Sequence, residues 1–182
     1  MNRDEPIEGN LFYHIYNRGN DRQRIFGDES DYFAFLKKMK SLAVQYSVAV
    51  PIYALMPNHY HLIALQNTSG NLSNMMGALA TSAAKRYNLK FGHIGHLFQG
   101  PFRYKVVSEE FLWYVACYIH LNPVRAGLAK LPGEWPYSNF EDLCKRLKET
   151  CNSVWQGYPN YVYNVLKDDV LEKEFRAKVK GY

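Results

Sequence analysis

The chain has 182 residues, 47% of them hydrophobic and 21% charged, which is the size of one domain with a small appendage and the balance of a globular rather than a disordered protein. No apolar run reaches the length of a membrane span, and the opening Met-Asn-Arg-Asp-Glu-Pro lacks the apolar core of a signal peptide, so a cytoplasmic protein without membrane partners is expected. Cys117, Cys144 and Cys151 are odd in number with no Cys-x-x-Cys pair, arguing against a disulfide framework or a cysteine zinc site, while the net charge of +5 and pI near 9.0 suit a polyanionic partner.

In chain order, Asn10 to Asn17 alternates and is rich in aromatic and β-branched residues, which predicts a first strand. Arg18, Arg22 and Arg24 punctuate the polar loop that follows, either as phosphate contacts or as a solvated surface. From about Ser30 to Tyr46, Phe35, Leu36, Met39, Leu42, Ala43 and Tyr46 recur at helical spacing. Val48 to Met56 reads as a strand, and Pro51 places it at a sheet edge or a bulge. Pro57-Asn58 is a tight turn into a further alternating run, His59 to Gln66. A periodic helix is predicted from about Leu72 to Leu89, with Lys85, Arg86 and Lys90 near its end. Glycines break the next stretch, leaving short extended pieces at His96 to Phe98 and Phe102 to Val107. Ser108-Glu109-Glu110 opens a helix through side-chain capping, and Pro123 is expected to end it at or near Asn122. Beyond Trp135-Pro136-Tyr137, a Ser138-x-x-Glu141 capping box predicts another helix before a charged, tyrosine-rich tail.

This order is the split βαβ arrangement of an α+β, ferredoxin-like or RRM-like antiparallel sheet with helices on one face, followed by one further helix and a helical C-terminal extension. Such folds host many functions, so the chemistry must be read from particular residues. Along the strand, His59, His61, Ile63 and Leu65 share one face and Tyr60, Leu62 and Ala64 the other, so two imidazoles point the same way with Cα atoms roughly 6 to 7 Å apart. They form half of a divalent-metal site. Tyr118 and Asn122, four apart on the later helix and therefore on one face, offer the other half. His120 lies about 200° round the helix from Tyr118 and reads as structural. The 15 tyrosines would serve either as stacking platforms for unpaired bases or as an aromatic core.

Met56-Pro57-Asn58-His59-Tyr60-His61, Tyr118-Ile119-His120-Leu121-Asn122-Pro123-Val124-Arg125-Ala126-Gly127-Leu128, Tyr16-Asn17-Arg18-Gly19, Gly95-His96-Leu97-Phe98-Gln99-Gly100 and Trp135-Pro136-Tyr137-Ser138 together resemble the REP-associated tyrosine transposases and the related insertion sequence 200-like transposases. The resemblance spans roughly residues 10 to 140. It implies an HUH-type transposase/endonuclease domain over residues 1–137, with residues 138–182 as a helical extension packed on or continuing it. By that resemblance the chain would nick single-stranded DNA beside a hairpin and rejoin it. Tyr118 would be the nucleophile, and His59, His61 and Asn122 the ligands of Mg²⁺ or Mn²⁺, with no nucleotide cofactor. Arg18, Arg22, Arg24, Lys85, Arg86, Arg103, Lys105 and Arg125 are expected to contact DNA. The assembly expected is a monomer or a homodimer. A non-catalytic nucleic-acid binding module and a water-using phosphodiesterase are the competing readings.

Overall fold

Alternation along three successive strands sorts the chain into two cores on either side of one sheet. The computed structural model describes residues 6–68, 70–149 and 157–180. Strands β1 (Leu11–Arg18), β2 (Val48–Met56), β3 (His59–Gln66) and β4 (Arg103–Val107) form an antiparallel sheet in the order β2-β3-β1-β4. Helices α1 (Glu29–Gln45) and α2 (Leu72–Phe91) connect β1 to β2 and β3 to β4. This is the expected split βαβ order.

On one face, Tyr13, Ile15, Tyr53, Leu55, Tyr60, Leu62 and Ala64 pack against Phe35, Met39 and Leu42 of α1 and Leu72, Met75, Met76 and Leu79 of α2. On the other, Ile52, Ala54 and Ile63 meet Val115, Ala116 and Ile119 of α3 (Glu109–Arg125). Three further helices, α4 (Phe140–Glu149), α5 (Tyr158–Lys167) and α6 (Asp169–Val179), extend this second core through Phe140, Leu147, Tyr158, Val162, Val165 and Phe175. The C-terminal extension thus backs the helix that carries Tyr118.

Pro51 does mark an edge. The β2–β3 register shifts between Ala49 and Ile52, and the strand's outer side is sealed by residues 137–139. Leu55 N–H donates to Tyr137 O (2.9 Å) and the Asn139 amide to Tyr53 O (3.2 Å). The Asn139 side chain accepts from Tyr53 N–H (2.8 Å) and donates to Pro51 O (2.7 Å), and the Trp135 indole donates to Leu55 O (2.9 Å). The Trp-Pro-Tyr-Ser segment therefore blunts an edge that would otherwise be open to pairing.

Three local expectations are corrected. Pro123 does not end α3, which runs on to Arg125. Proline removes one interior hydrogen bond, but the next turn is closed by Ala126 N–H to Asn122 O (3.0 Å), Gly127 N–H to Val124 O (2.9 Å) and Leu128 N–H to Pro123 O (2.9 Å). With Gly127 left-handed at φ 70, this is a Schellman closure, in which glycine at that position avoids the Cβ strain. The Asn-Pro-Val-Arg-Ala-Gly-Leu run is thus a helix terminus carried one turn beyond its proline. Ser108 stands at the N-cap of α3, yet its hydroxyl makes no cap bond. Ser138 forms no capping box either. It lies in the bridge to Ala54, its hydroxyl donates to Trp135 O (3.3 Å), and α4 begins only at Phe140. Cys117 and Cys144 are buried thiols, and Cys151 lies outside the described residues.

Candidate active site

The two-residue Pro57-Asn58 turn pairs Met56 with His59 and sets the register of everything beyond it. It is held by the loop after β1: Gly19 N–H donates to Asn58 O (2.8 Å), Ile25 N–H to Pro57 O (2.8 Å), and Asn58 Nδ2 to Arg22 O (3.2 Å). A Cβ on Gly19 would stand 2.2 Å from the Gln23 carbonyl oxygen, so only glycine allows this approach. Register then lays out one sheet face in rows. Arg18 sits beside His59, Tyr16 lies between His61 and Arg103, and His14 lies between Ile63 and Lys105. The polar rows end where Ile52, Ile63 and Val107 begin, and it is those apolar residues that α3 covers.

Between the polar rows and the end of α3 opens a cleft of about 870 Å³, lined by Tyr16, Arg18, His59, His61, Arg103, Tyr118, Asn122 and Arg125 among others. Among the described residues, none that lines it is acidic. Arg125 is paired with Glu172 behind the lining (3.4 Å) and lies over the Phe175 ring, which leaves Arg18 and Arg103 as the guanidiniums that make the cleft attractive to a phosphodiester.

The rings of His59 and His61 stand 5.1 Å apart and perpendicular. His59 Nδ1–H donates to Asn58 Oδ1 (2.6 Å), and His61 Nδ1 is hydrogen-bonded to Nε2 of His14 (2.9 Å). On both ligand candidates the protein thus holds Nδ1, and Nε2 is the second nitrogen. Burial, reinforced by Arg18, pushes His59 down to about 4 and holds His61 well below the usual imidazole range, with His14 and His59 adding to the effect on His61. Both are therefore neutral at pH 7, the form that ligates a metal.

Tyr118 presents its ring edge-on to His61 at 5.5 Å and to His14 at 6.0 Å. One turn on, Asn122 Nδ2 donates to the Tyr118 main-chain carbonyl (2.9 Å). The donor set fits a hard-to-borderline divalent ion: two neutral imidazoles with fixed Nδ1 atoms, and one amide oxygen whose nitrogen is occupied. Among the described residues no group of three or more His, Cys, Asp or Glu is spaced to hold a metal, and the amide side chains in the cleft lining are those of Asn17, Gln99 and Asn122.

Of the residues expected from sequence, His59, His61, Tyr118, Asn122, Arg18, Arg103 and Arg125 meet in this cleft. The others lie outside its lining. Arg24 Nε donates to Phe26 O (3.3 Å), Lys85 is exposed on α2, and Lys105 neighbours His14 on β4. Arg22 stands in the short 3-10 turn after β1. Arg86 bridges to Asp31 (3.0 Å), whose buried carboxylate also takes Lys90 (2.9 Å). His120 is buried behind α3, between the Tyr158 hydroxyl (2.7 Å) and Asn139 Oδ1 (3.2 Å), as its angle from Tyr118 requires. Sequence reasoning missed His14, Tyr16 and Gln99. The alternation Phe12, His14, Tyr16 in β1 was the available signal, since it puts a histidine on the same face as His61 once the strands pair.

Residues 8–122 match the family described as transposase, IS200-like. Among solved structures, the chain is similar to a REP-associated tyrosine transposase bound to a REP hairpin, at TM-score 0.61 and 19% identity, covering 78% of this chain and 83% of that one. It is also similar to a protein from Deinococcus radiodurans R1 described as a transposase, at TM-score 0.46 and 21% identity, covering 65% and 95%. No functionally curated protein matches it. No helix among the described residues is long and apolar enough to cross a membrane.

Proposed function

The chain belongs to the IS200-like transposase family, and from that premise we propose that it cuts and rejoins single-stranded DNA beside a hairpin, with Tyr118 as nucleophile and a divalent metal as cofactor. The observation that carries this reading is the meeting of Tyr118, His59, His61 and Asn122 in one cleft that also holds three arginines. A relative of the same fold has been solved with a REP hairpin, which makes a DNA hairpin the flanking element to test first.

An unperturbed phenol has a pKa near 10, so Tyr118 needs an activated phosphorus or a departing proton to react at neutral pH. His59, His61 and Asn122 would hold Mg²⁺ or Mn²⁺, which when bound makes the scissile phosphorus more electrophilic. Imidazole donors favour Mn²⁺ of the two. Arg18 and Arg103 hold the phosphates on either side and offset the charge that develops in attack, with Arg125, already paired with Glu172, beside them. The Tyr118 oxygen forms a bond to phosphorus as its proton leaves to solvent. The bond from phosphorus to the 3′-oxygen breaks, and that oxygen takes up a proton. The products are a 5′-phosphotyrosine and a free 3′-hydroxyl. Because the link is still a phosphodiester, a 3′-hydroxyl reverses the step without ATP, and no nucleotide cofactor is required.

Incubation with a hairpin-flanked single strand and Mn²⁺, followed by a denaturing gel, tests the proposal. A retarded covalent band is expected from the wild type and none from Tyr118→Phe. Dissociable binding with no adduct would leave a non-catalytic nucleic-acid module. Cleavage without adduct that survives Tyr118→Phe would mean a phosphodiesterase that uses water.

A further inference from the structure

His14 is a buried polar side chain on β1 to which neither sequence nor family resemblance gives a role. It is 1% exposed. Its ring lies nearly parallel to that of His61, 21° between planes and 5.1 Å between centroids, and its Nε2 is 2.9 Å from His61 Nδ1. Antiparallel pairing explains the contact: Tyr16 is directly opposite His61, and His14 is the diagonal neighbour on the same face.

We propose that His14 is the positioning residue that decides which nitrogen of His61 carries the proton, and so which one presents a lone pair to the cleft. The proposal rests on the metal reading above. A single proton occupies the contact between the two rings. If His61 Nδ1–H donates to His14 Nε2, the lone pair of His61 is on Nε2, where it can take a metal. If His14 donates instead, His61 carries its proton on Nε2 and is useless as a ligand. His59 has the same arrangement by another route. Asn58 Nδ2 is used on Arg22 O, so Asn58 Oδ1 faces His59 and can only accept. Each of the paired histidines thus has its own orienting partner, a carboxamide for one and a third imidazole for the other, matching the outer hydrogen bonds that tune metal-bound histidines elsewhere. Tyr118 stands edge-on to both His14 and His61, so the setting of one ring also shapes the wall against which the nucleophile sits.

Two measurements test this together. In the metal-free protein, ¹⁵N-labelled histidine spectra should show His61 protonated at Nδ1. In Mn²⁺ titrations read by the loss of free-ion EPR signal, His14→Phe, which keeps a ring but offers no acceptor, should bind about tenfold or more weakly than wild type. His14→Gln, whose amide oxygen reaches about as far as Nε2, should recover most of that loss. A thermal midpoint for each variant separates misfolding from weak binding, and the wild-type spectrum needs no variant to fold. A wild-type His61 protonated at Nε2, or a folded His14→Phe that binds Mn²⁺ as wild type does, overturns the proposal. If wild type binds Mn²⁺ no better than His61→Ala while His61 stays protonated at Nδ1, the metal reading falls and the assignment of His14 to the tautomer of His61 stands.

Discussion

Asn122 donates its side-chain amide to the main-chain carbonyl of Tyr118, 2.9 Å away and one helical turn earlier. That bond engages one N–H of the amide, holds the carboxamide against the turn that bears Tyr118, and leaves the oxygen available to the cleft. Replacing Asn122 by Ala should therefore weaken Mn²⁺ binding by about tenfold or more and lower the covalent adduct in proportion. Asn122→Gln, with the same amide one methylene further out, should retain part of both. Equal Mn²⁺ titration curves for Asn122→Ala and wild type would remove Asn122 from the ligand set.

The basic residues divide by partner. Arg18 and Arg103 line the cleft, whereas Arg86 and Lys90 are bound to the buried Asp31. Although burial opposes it, Lys90, the Gly27 N–H and Arg86 hold the Asp31 carboxyl below its usual range. Arg103→Ala should thus lower affinity for single-stranded DNA and reduce the slope of log K against log salt by about 0.7, the value of one phosphate contact on a single strand. Arg86→Ala should leave that slope unchanged and instead cost about 1 to 3 kcal/mol of stability, by depriving a buried carboxylate of a donor. Fluorescence titrations at several salt concentrations, with urea unfolding alongside, would read both effects.

Much of this architecture is written in short-range pattern. The alternation of β3 places Tyr60, Leu62 and Ala64 in one core and Ile63 in the other, and the helical stripes of α1 and α2 are the ones that pack. The meeting of Tyr118 with the paired histidines came from spacing joined to family resemblance, because no local rule says that α3 lies across that end of the sheet. What pattern alone hides is pairing. His14 becomes a neighbour of His61 only through antiparallel register, and Asn139 becomes a partner of β2 through bonds to Tyr53 and Pro51 across a distance in sequence that no local pattern bridges. Pro123 misleads for a related reason: its local cost is real, but the Schellman closure through Gly127 and the burial of Pro123 carry the helix past it.

Asn139 is expected to matter more to stability than its place between a turn and a short helix suggests. Its side chain accepts from Tyr53 N–H, donates to Pro51 O and touches His120 Nε2 at 3.2 Å. Truncation to Ala removes all three contacts and leaves a strand N–H and an imidazole to find new partners, at about 1 kcal/mol for each bond lost. Urea unfolding of Asn139→Ala should therefore show a loss of about 2 to 4 kcal/mol, with a higher tendency to self-associate through the uncovered edge of β2. A loss within about 0.5 kcal/mol, the range of an ordinary surface substitution, would mean that the seal is held by backbone bonds alone.

The same histidine gives the fold a defined acid weakness. Burial lowers His120 from its ordinary value to about 4, with Asn139 pulling the other way. Unfolded, it titrates near 6.5. Between those two values the unfolded chain holds a proton that the folded chain refuses, so stability rises with pH across this window and falls as pH drops through it. The contribution is fully present above about pH 6.5 and fully lost below about pH 4, and a shift of this size corresponds to roughly 3 kcal/mol. The acidic pairs act in a lower window: Asp28, held at about 2 by Lys90 and Ser30, loses its contribution only as pH falls below the ordinary carboxylate range. His120→Gln keeps a donor and an acceptor but cannot take up a charge. Its thermal midpoint should be lower than wild type at pH 7.5 and should fall less steeply between pH 6.5 and 4. Because His14 and His59 are also held low by burial, the variant's curve should flatten without becoming level. Parallel curves for the two proteins across that range would show that His120 does not set this dependence.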